Sequence, residues 1–150
     1  MTDWSEDDRR HMRRALAMAK AQRGRTGDNP AVGCTIISSL GHRLADGATA
    51  DGGRPHAEEL ALESLGGRAP GATVYVTLEP CRERSTGTAS CSARLVQSGA
   101  KRVVCAISDP HPLGSGGLEA LRAAGIQVDI GLMEEDAAAL YADFFKGPND

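Results

Sequence analysis

After its first seventy residues the chain alternates short β-branched or apolar runs with segments of helical periodicity, and this alternation narrows the fold more than any other feature. ATVYVTL reads as a strand, 91–97 as a short helix, KRVVCAI as a strand and 118–124 as a helix stopped by Gly125. A strand over 126–130 and a last helix over 134–145 complete the pattern. Upstream, Ser5 with Asp8 three residues on has the form of a capping box. Met12, Ala15, Leu16 and Ala19 follow at helical spacing, which predicts a helix over 5–23 ended by GRTGDNP. The continuous apolar run 31–39 suits a strand covered on both faces, and Leu40-Gly41 turns it into a second strand over 42–49, giving a hairpin. DGGRP is a loop, after which Ala57, Leu60, Ala61 and Leu65 recur in a helix closed by Gly66-Gly67.

Five strands and their helices, after an opening hairpin, imply an α/β fold with a mixed, largely parallel sheet and helices on both faces. No internal repeat or linker interrupts it, and 150 residues suit one domain spanning 1–150. Aromatic residues are only 3% of the chain, so the expected core is aliphatic. In such sheets functional groups gather beyond the carboxyl ends of strands, where helices present their N-termini. His56 and Cys91 fall at predicted helix starts and Cys81 just past a strand end.

That placement carries chemistry. A catalytic zinc site uses three protein ligands and keeps a position open for water; His56, Cys81 and Cys91 make three. Glu58, two residues after the histidine, is a carboxylate able to take and return a proton. Residues two apart lie ~200° apart around a helix, so His56 and Glu58 converge only in front of the first turn. The positive end of the helix dipole there is expected to favour thiolate over thiol. Cys34 and Cys105, inside strand-like runs, read as small buried hydrophobes.

His-x-Glu followed by Pro-Cys and a second Cys is the pattern of zinc nucleobase deaminases. Nine residues separate Cys81 from Cys91 in place of the usual two. With DNPAVGCTII, GRPHAEELAL, GATVYVTLEPC and GAKRVVCAISDPHPL, the chain resembles the pyrimidine deaminases of riboflavin biosynthesis over nearly its whole length. The resemblance implies a three-layer α/β/α sandwich of the cytidine deaminase type. It also implies one catalytic Zn2+ per chain on His56, Cys81 and Cys91, with Glu58 as proton shuttle. Asn29 would bind substrate, the Ala57 backbone amide would contact the ring, and the chain would form a homo-oligomer, dimer or tetramer. Bifunctional bacterial members continue into a reductase domain, so a free-standing deaminase is expected. The inter-cysteine loop RERSTGTAS looks more like that of the fungal enzymes, whereas DPHPLGSGG looks bacterial.

Arg82, Arg84 and Thr88 in that loop are candidate substrate contacts, pinned between two ligands, although such stretches are commonly solvated. Asn29 is equally a turn residue before Pro30. Glu59 reads as a solvated helix residue, and His11, His42 and His111 as structural or exposed. The expected substrate is an aminopyrimidine or its nucleotide, foremost a diaminopyrimidine nucleotide of riboflavin synthesis. Another nucleobase, nucleoside or aminated heterocycle is the rival substrate, and a non-catalytic zinc-stabilised binding domain the rival class. A net charge of −3 without a basic run argues against a nucleic-acid surface, and no apolar run is long enough to span a bilayer. A cytoplasmic location is the expectation.

Overall fold

A computed structural model describes residues 4–81, 90–110 and 116–146. Helix α1 (Glu6–Gln22) opens on the expected capping box: the Ser5 hydroxyl accepts the Asp8 N–H at 2.9 Å and Asp8 accepts the Ser5 N–H at 3.2 Å. Strands β1 (Gly33–Ile37) and β2 (Arg43–Ala48) form the hairpin, followed by a short 3₁₀ turn (Asp51–Gly53) and helix α2 (Ala57–Glu63). Then come β3 (Thr73–Val76), α3 (Cys91–Ser98), β4 (Arg102–Cys105), α4 (Gly117–Ala123), β5 (Gln127–Ile130) and α5 (Glu134–Lys146). Each predicted element is present, with its ends within two residues of the expected ones. No helix among the described residues is long and apolar enough to cross a membrane.

The strand order is β2-β1-β3-β4-β5. The sheet is mixed as expected but less parallel: β1 is antiparallel to both of its neighbours, and only β3–β4 and β4–β5 pair in parallel. The reason is the path of the chain. The hairpin reverses direction, and α2 then carries the chain over to the free side of β1, so β3 runs parallel to β2 with β1 trapped between them.

Alternation of side chains sorts the helices into two outer layers. Gly33 lies on one face of β1, where an added Cβ would collide with the Ala15 carbonyl of α1; α5 joins that layer through Tyr141, whose hydroxyl meets Thr77 at 2.7 Å. The other face carries α2, α3 and α4 side by side. The core is mainly aliphatic; among the described residues its buried aromatics are Tyr75 and Tyr141, and each hydroxyl is satisfied, by Asp8 and by the Ala31 carbonyl. Because only β1 is reversed, its start and the carboxyl ends of the other four strands share one edge of the sheet, and α2 and α3 begin there.

Candidate active site

His56 is the N-cap of α2, with extended backbone (φ −72, ψ 161), so its side chain leaves the chain before the helix begins. Glu58, two residues on, is buried in the first turn. This resolves the angular conflict between the two residues, since only one of them has helical geometry. The first turn of α2 can lie on β2 because position 47 is glycine; an added Cβ there would strike the Ala57 carbonyl.

Helix α3 begins in a similar way. The Ser90 hydroxyl accepts the Ala93 N–H at 3.1 Å, which makes Cys91 the first helical residue. The Cys91 N–H donates to the Cys81 sulfur at 3.1 Å, and the Ser92 N–H to the Cys81 carbonyl at 3.1 Å. His56 Nδ1 lies 3.4 Å from the Cys91 sulfur, and one ligand atom from each of His56, Cys81 and Cys91 lies within 4.8 Å of the others. Zinc bonds of about 2.3 Å to sulfur and 2.0 Å to nitrogen in a tetrahedron require a nitrogen–sulfur edge of about 3.5 Å, so this donor set fits that metal in spacing and chemistry.

The electrostatics set the two thiols of the site apart. A hydrogen bond from the Cys91 thiol holds Cys81 as the thiolate, pushed down to about 4; burial opposes this, while His56 and the Cys91 N–H reinforce it. Cys91, as the donor in that bond and buried as well, is pushed up. The helix-start amide thus serves Cys81 across the gap and not Cys91, the cysteine of its own helix, which corrects the expectation that a thiol placed at a helix start is the one favoured as thiolate. Burial lifts Glu58 to about 7, with the negative Cys81 and Glu59 adding to it and the Glu58 N–H and His56 opposing. A carboxyl near neutrality can both accept and release a proton.

Asn29 stands at the same sheet edge, its side-chain amide donating to the Gly53 carbonyl at 3.0 Å, and Ala57 is the fully buried first residue of α2. Arg82, Arg84, Thr88 and His111 lie outside the described residues. His42 is exposed as expected, and His11 packs against Tyr75 with ring centroids 5.1 Å apart. Cys34 and Cys105 are fully buried, in line with a packing role.

Glu59 departs from the expectation of a solvated residue. It is half-buried, accepts the His56 N–H at 3.3 Å and faces Arg94 at 3.7 Å. A carboxylate three residues after an N-cap is the signal that points to this role. Glu79, which the sequence marks only as a strand end, is buried and accepts three backbone N–H groups, from Asp109 and Gly116 at 3.0 Å and Leu118 at 3.2 Å. It thereby ties the segment leading to Cys81 to the start of α4, with Gly117 close against the Pro80 carbonyl.

Residues 5–107 match the model of the cytidine and deoxycytidylate deaminase zinc-binding region. The chain is 47% identical over 141 residues to the riboflavin biosynthesis protein RibD of Aquifex aeolicus, covering 93% of this chain and 39% of that protein. It is 39% identical over 140 residues to the diaminohydroxyphosphoribosylamino-pyrimidine deaminase of Buchnera aphidicola, covering 93% of this chain and 94% of the relative. Among solved structures, RibD of Acinetobacter baumannii superposes with a TM-score of 0.86 at 42% identity, over 94% of this chain and 40% of that one. The chain therefore spans about two-fifths of the length of the RibD proteins it matches.

Proposed function

This chain belongs to the cytidine and deoxycytidylate deaminase zinc-binding family, and on that premise we propose that it hydrolyses the exocyclic amine of a diaminopyrimidine ribosylamino nucleotide in riboflavin biosynthesis. The observation that carries the reading is the convergence of His56, Cys81 and Cys91 beside a buried Glu58. The likeness to a relative named for that diaminopyrimidine deamination, shared across nearly the full length of both chains, supports the substrate class.

In this reading His56, Cys81 and Cys91 hold one zinc ion. When bound, the ion supplies Lewis acidity that makes water nucleophilic near neutral pH. Glu58 takes a proton from the attacking water and delivers it to the departing amine. The water oxygen becomes bonded to the ring carbon, the carbon–nitrogen bond breaks, ammonia leaves and a ring carbonyl remains. Burial of Glu58 suits the role, because it pushes the carboxyl up from its ordinary value and so eases uptake of a proton. Asn29 and the Ala57 amide orient the ring at the sheet edge, and Arg82, Arg84 and Thr88 select the substrate from the loop between the two cysteines. The unit acts as a single domain in the cytoplasm and self-associates.

Ammonia release from a panel of aminopyrimidine bases, nucleosides and nucleotides tests this, with zinc content measured alongside. The wild type should turn over the diaminopyrimidine nucleotide, and Glu58→Gln should lose about 10²- to 10⁴-fold in kcat with zinc retained. Turnover of a free base or nucleoside alone would replace the substrate. Zinc binding without any turnover would leave a zinc-stabilised binding domain.

A further inference from the structure

The two helices that carry ligands at their starts are joined one turn further in by a pair that the mechanism above does not use. Glu59 Oε1 lies 3.3 Å from the His56 backbone nitrogen and 3.8 Å from His56 Nδ1, while Oε2 lies 3.7 Å from Arg94 Nη2 on α3. Arg94 is itself seated one turn after the α3 cap, its N–H donating to the Ser90 carbonyl at 3.0 Å. One carboxylate therefore touches the cap of the helix bearing His56 and the first turn of the helix bearing Cys91.

Two features mark the pair as more than a surface ion pair. The Glu59 side chain is only 14% exposed against 38% for Arg94, so water screens the pair from the arginine's side and only weakly from the carboxylate's. Arg94 Nε is buried with no hydrogen-bond partner among the described residues, so the contact that holds this guanidinium is the one with its charge partner Glu59. The pair also walls a cleft between α2 and α3 whose other polar side chains are Glu63 and Gln97. Among the described residues of that wall, Arg94 alone is cationic.

We propose that Glu59, braced by Arg94, is a positioning residue for the ligand set: it fixes the His56 backbone and locks α2 against α3, so that the histidine nitrogen and the Cys91 sulfur stay at coordination spacing. The inference rests on the zinc reading of the site. Residues that orient metal ligands from behind typically contribute 10- to 100-fold in metal affinity, and Glu59 acts on the backbone of a ligand in place of its ring.

The test uses the full chain and two readouts other than turnover: zinc affinity by competition with a chromophoric chelator, and the visible spectrum of the cobalt-substituted protein. Glu59→Ala should weaken zinc binding by about 10- to 100-fold and alter the cobalt bands. Glu59→Gln keeps an oxygen for the His56 N–H but loses the charge pair, so it should fall between wild type and Glu59→Ala. Arg94→Ala should match Glu59→Gln, and adding it to Glu59→Ala should cause no further loss. Arg14→Ala, which breaks an exposed pair with Asp46 elsewhere, should leave zinc affinity unchanged. Wild-type affinity and an unchanged cobalt spectrum in both Glu59→Gln and Arg94→Ala would overturn the proposal, even if Glu59→Ala fails to fold. A wild type that binds no zinc would overturn the site reading, and this inference with it.

Discussion

Two polar clusters sit on opposite faces of the same sheet, and they solve the problem of burial in opposite ways. On the face covered by α1, Asp8 receives the Tyr75 hydroxyl at 2.6 Å and Arg102 at 3.0 Å, and Arg102 also donates to Asp129 at 2.8 Å. On the face covered by α2, Glu58 is buried beside the Cys81 thiolate and Glu59. Burial pushes both carboxyls up, but at Asp8 the hydrogen bonds from Arg102 and Tyr75 overwhelm it and hold the group at about 2, while at Glu58 burial prevails and lifts it to about 7. One cluster is completed by folding. The other holds donor atoms at metal spacing and, among the described residues, gives Glu58 no hydrogen bond from a cationic side chain, a place that a metal ion would fill in the proposed reading.

If that contrast is right, the metal should act on one cluster alone. Free zinc at a thousandfold excess over its Kd should stabilise the fold by about 4 kcal/mol, read as a shift in thermal unfolding that chelator reverses. An unfolding midpoint indifferent to zinc would break the comparison. Removing the cation from the self-sufficient cluster is the complementary change. Arg102→Leu strands Asp8 and Asp129 and should cost about 2–3 kcal/mol in urea unfolding, somewhat under the fully buried figure because Arg102 keeps some contact with solvent, while zinc affinity stays at the wild-type value.

The pH dependence should then differ in sign between the two carboxyls. Asp8 is held below its ordinary value, so its contribution is present above about 3.8 and disappears as pH falls through about 2. Glu58 is held above its ordinary value, so in the zinc-free protein its contribution is present below about 4.5 and disappears as pH rises through about 7. Comparing urea midpoints at pH 5 and pH 7 for zinc-free wild type and Glu58→Gln isolates the second contribution; the wild type should lose stability relative to the variant as pH rises. The smallest effect is expected where charge is merely exposed. Breaking the Arg25–Asp51 pair, both members of which are more than half exposed, should leave the urea midpoint at the wild-type value and both clusters intact.

Much of the site is legible in the sequence because its parts are local. The cap at Ser5, the helix starts at His56 and Cys91, and the place of Cys81 beyond a strand all follow from residues within a few positions of each other. Glu59 is harder to read even though its capping geometry is local, because its pairing with Arg94 spans two helices and nothing in either segment announces it. Glu79 is hidden for a related reason: the amides it accepts come from the far side of β4.

By itself, the sequence determined the residue types, the order and type of the elements and the group of candidate ligands, since capping, periodicity and turn chemistry act over one or two turns of chain. Only the tertiary structure decided that β1 lies reversed between β2 and β3, that the Cys91 amide serves Cys81, and that hydrogen bonds hold Asp8 down while burial lifts Glu58. These outcomes depend on which surfaces can approach closely, as α2 approaches β2 over Gly47, and on the low dielectric this creates, where the presence or absence of one partner sets the charge of a buried group.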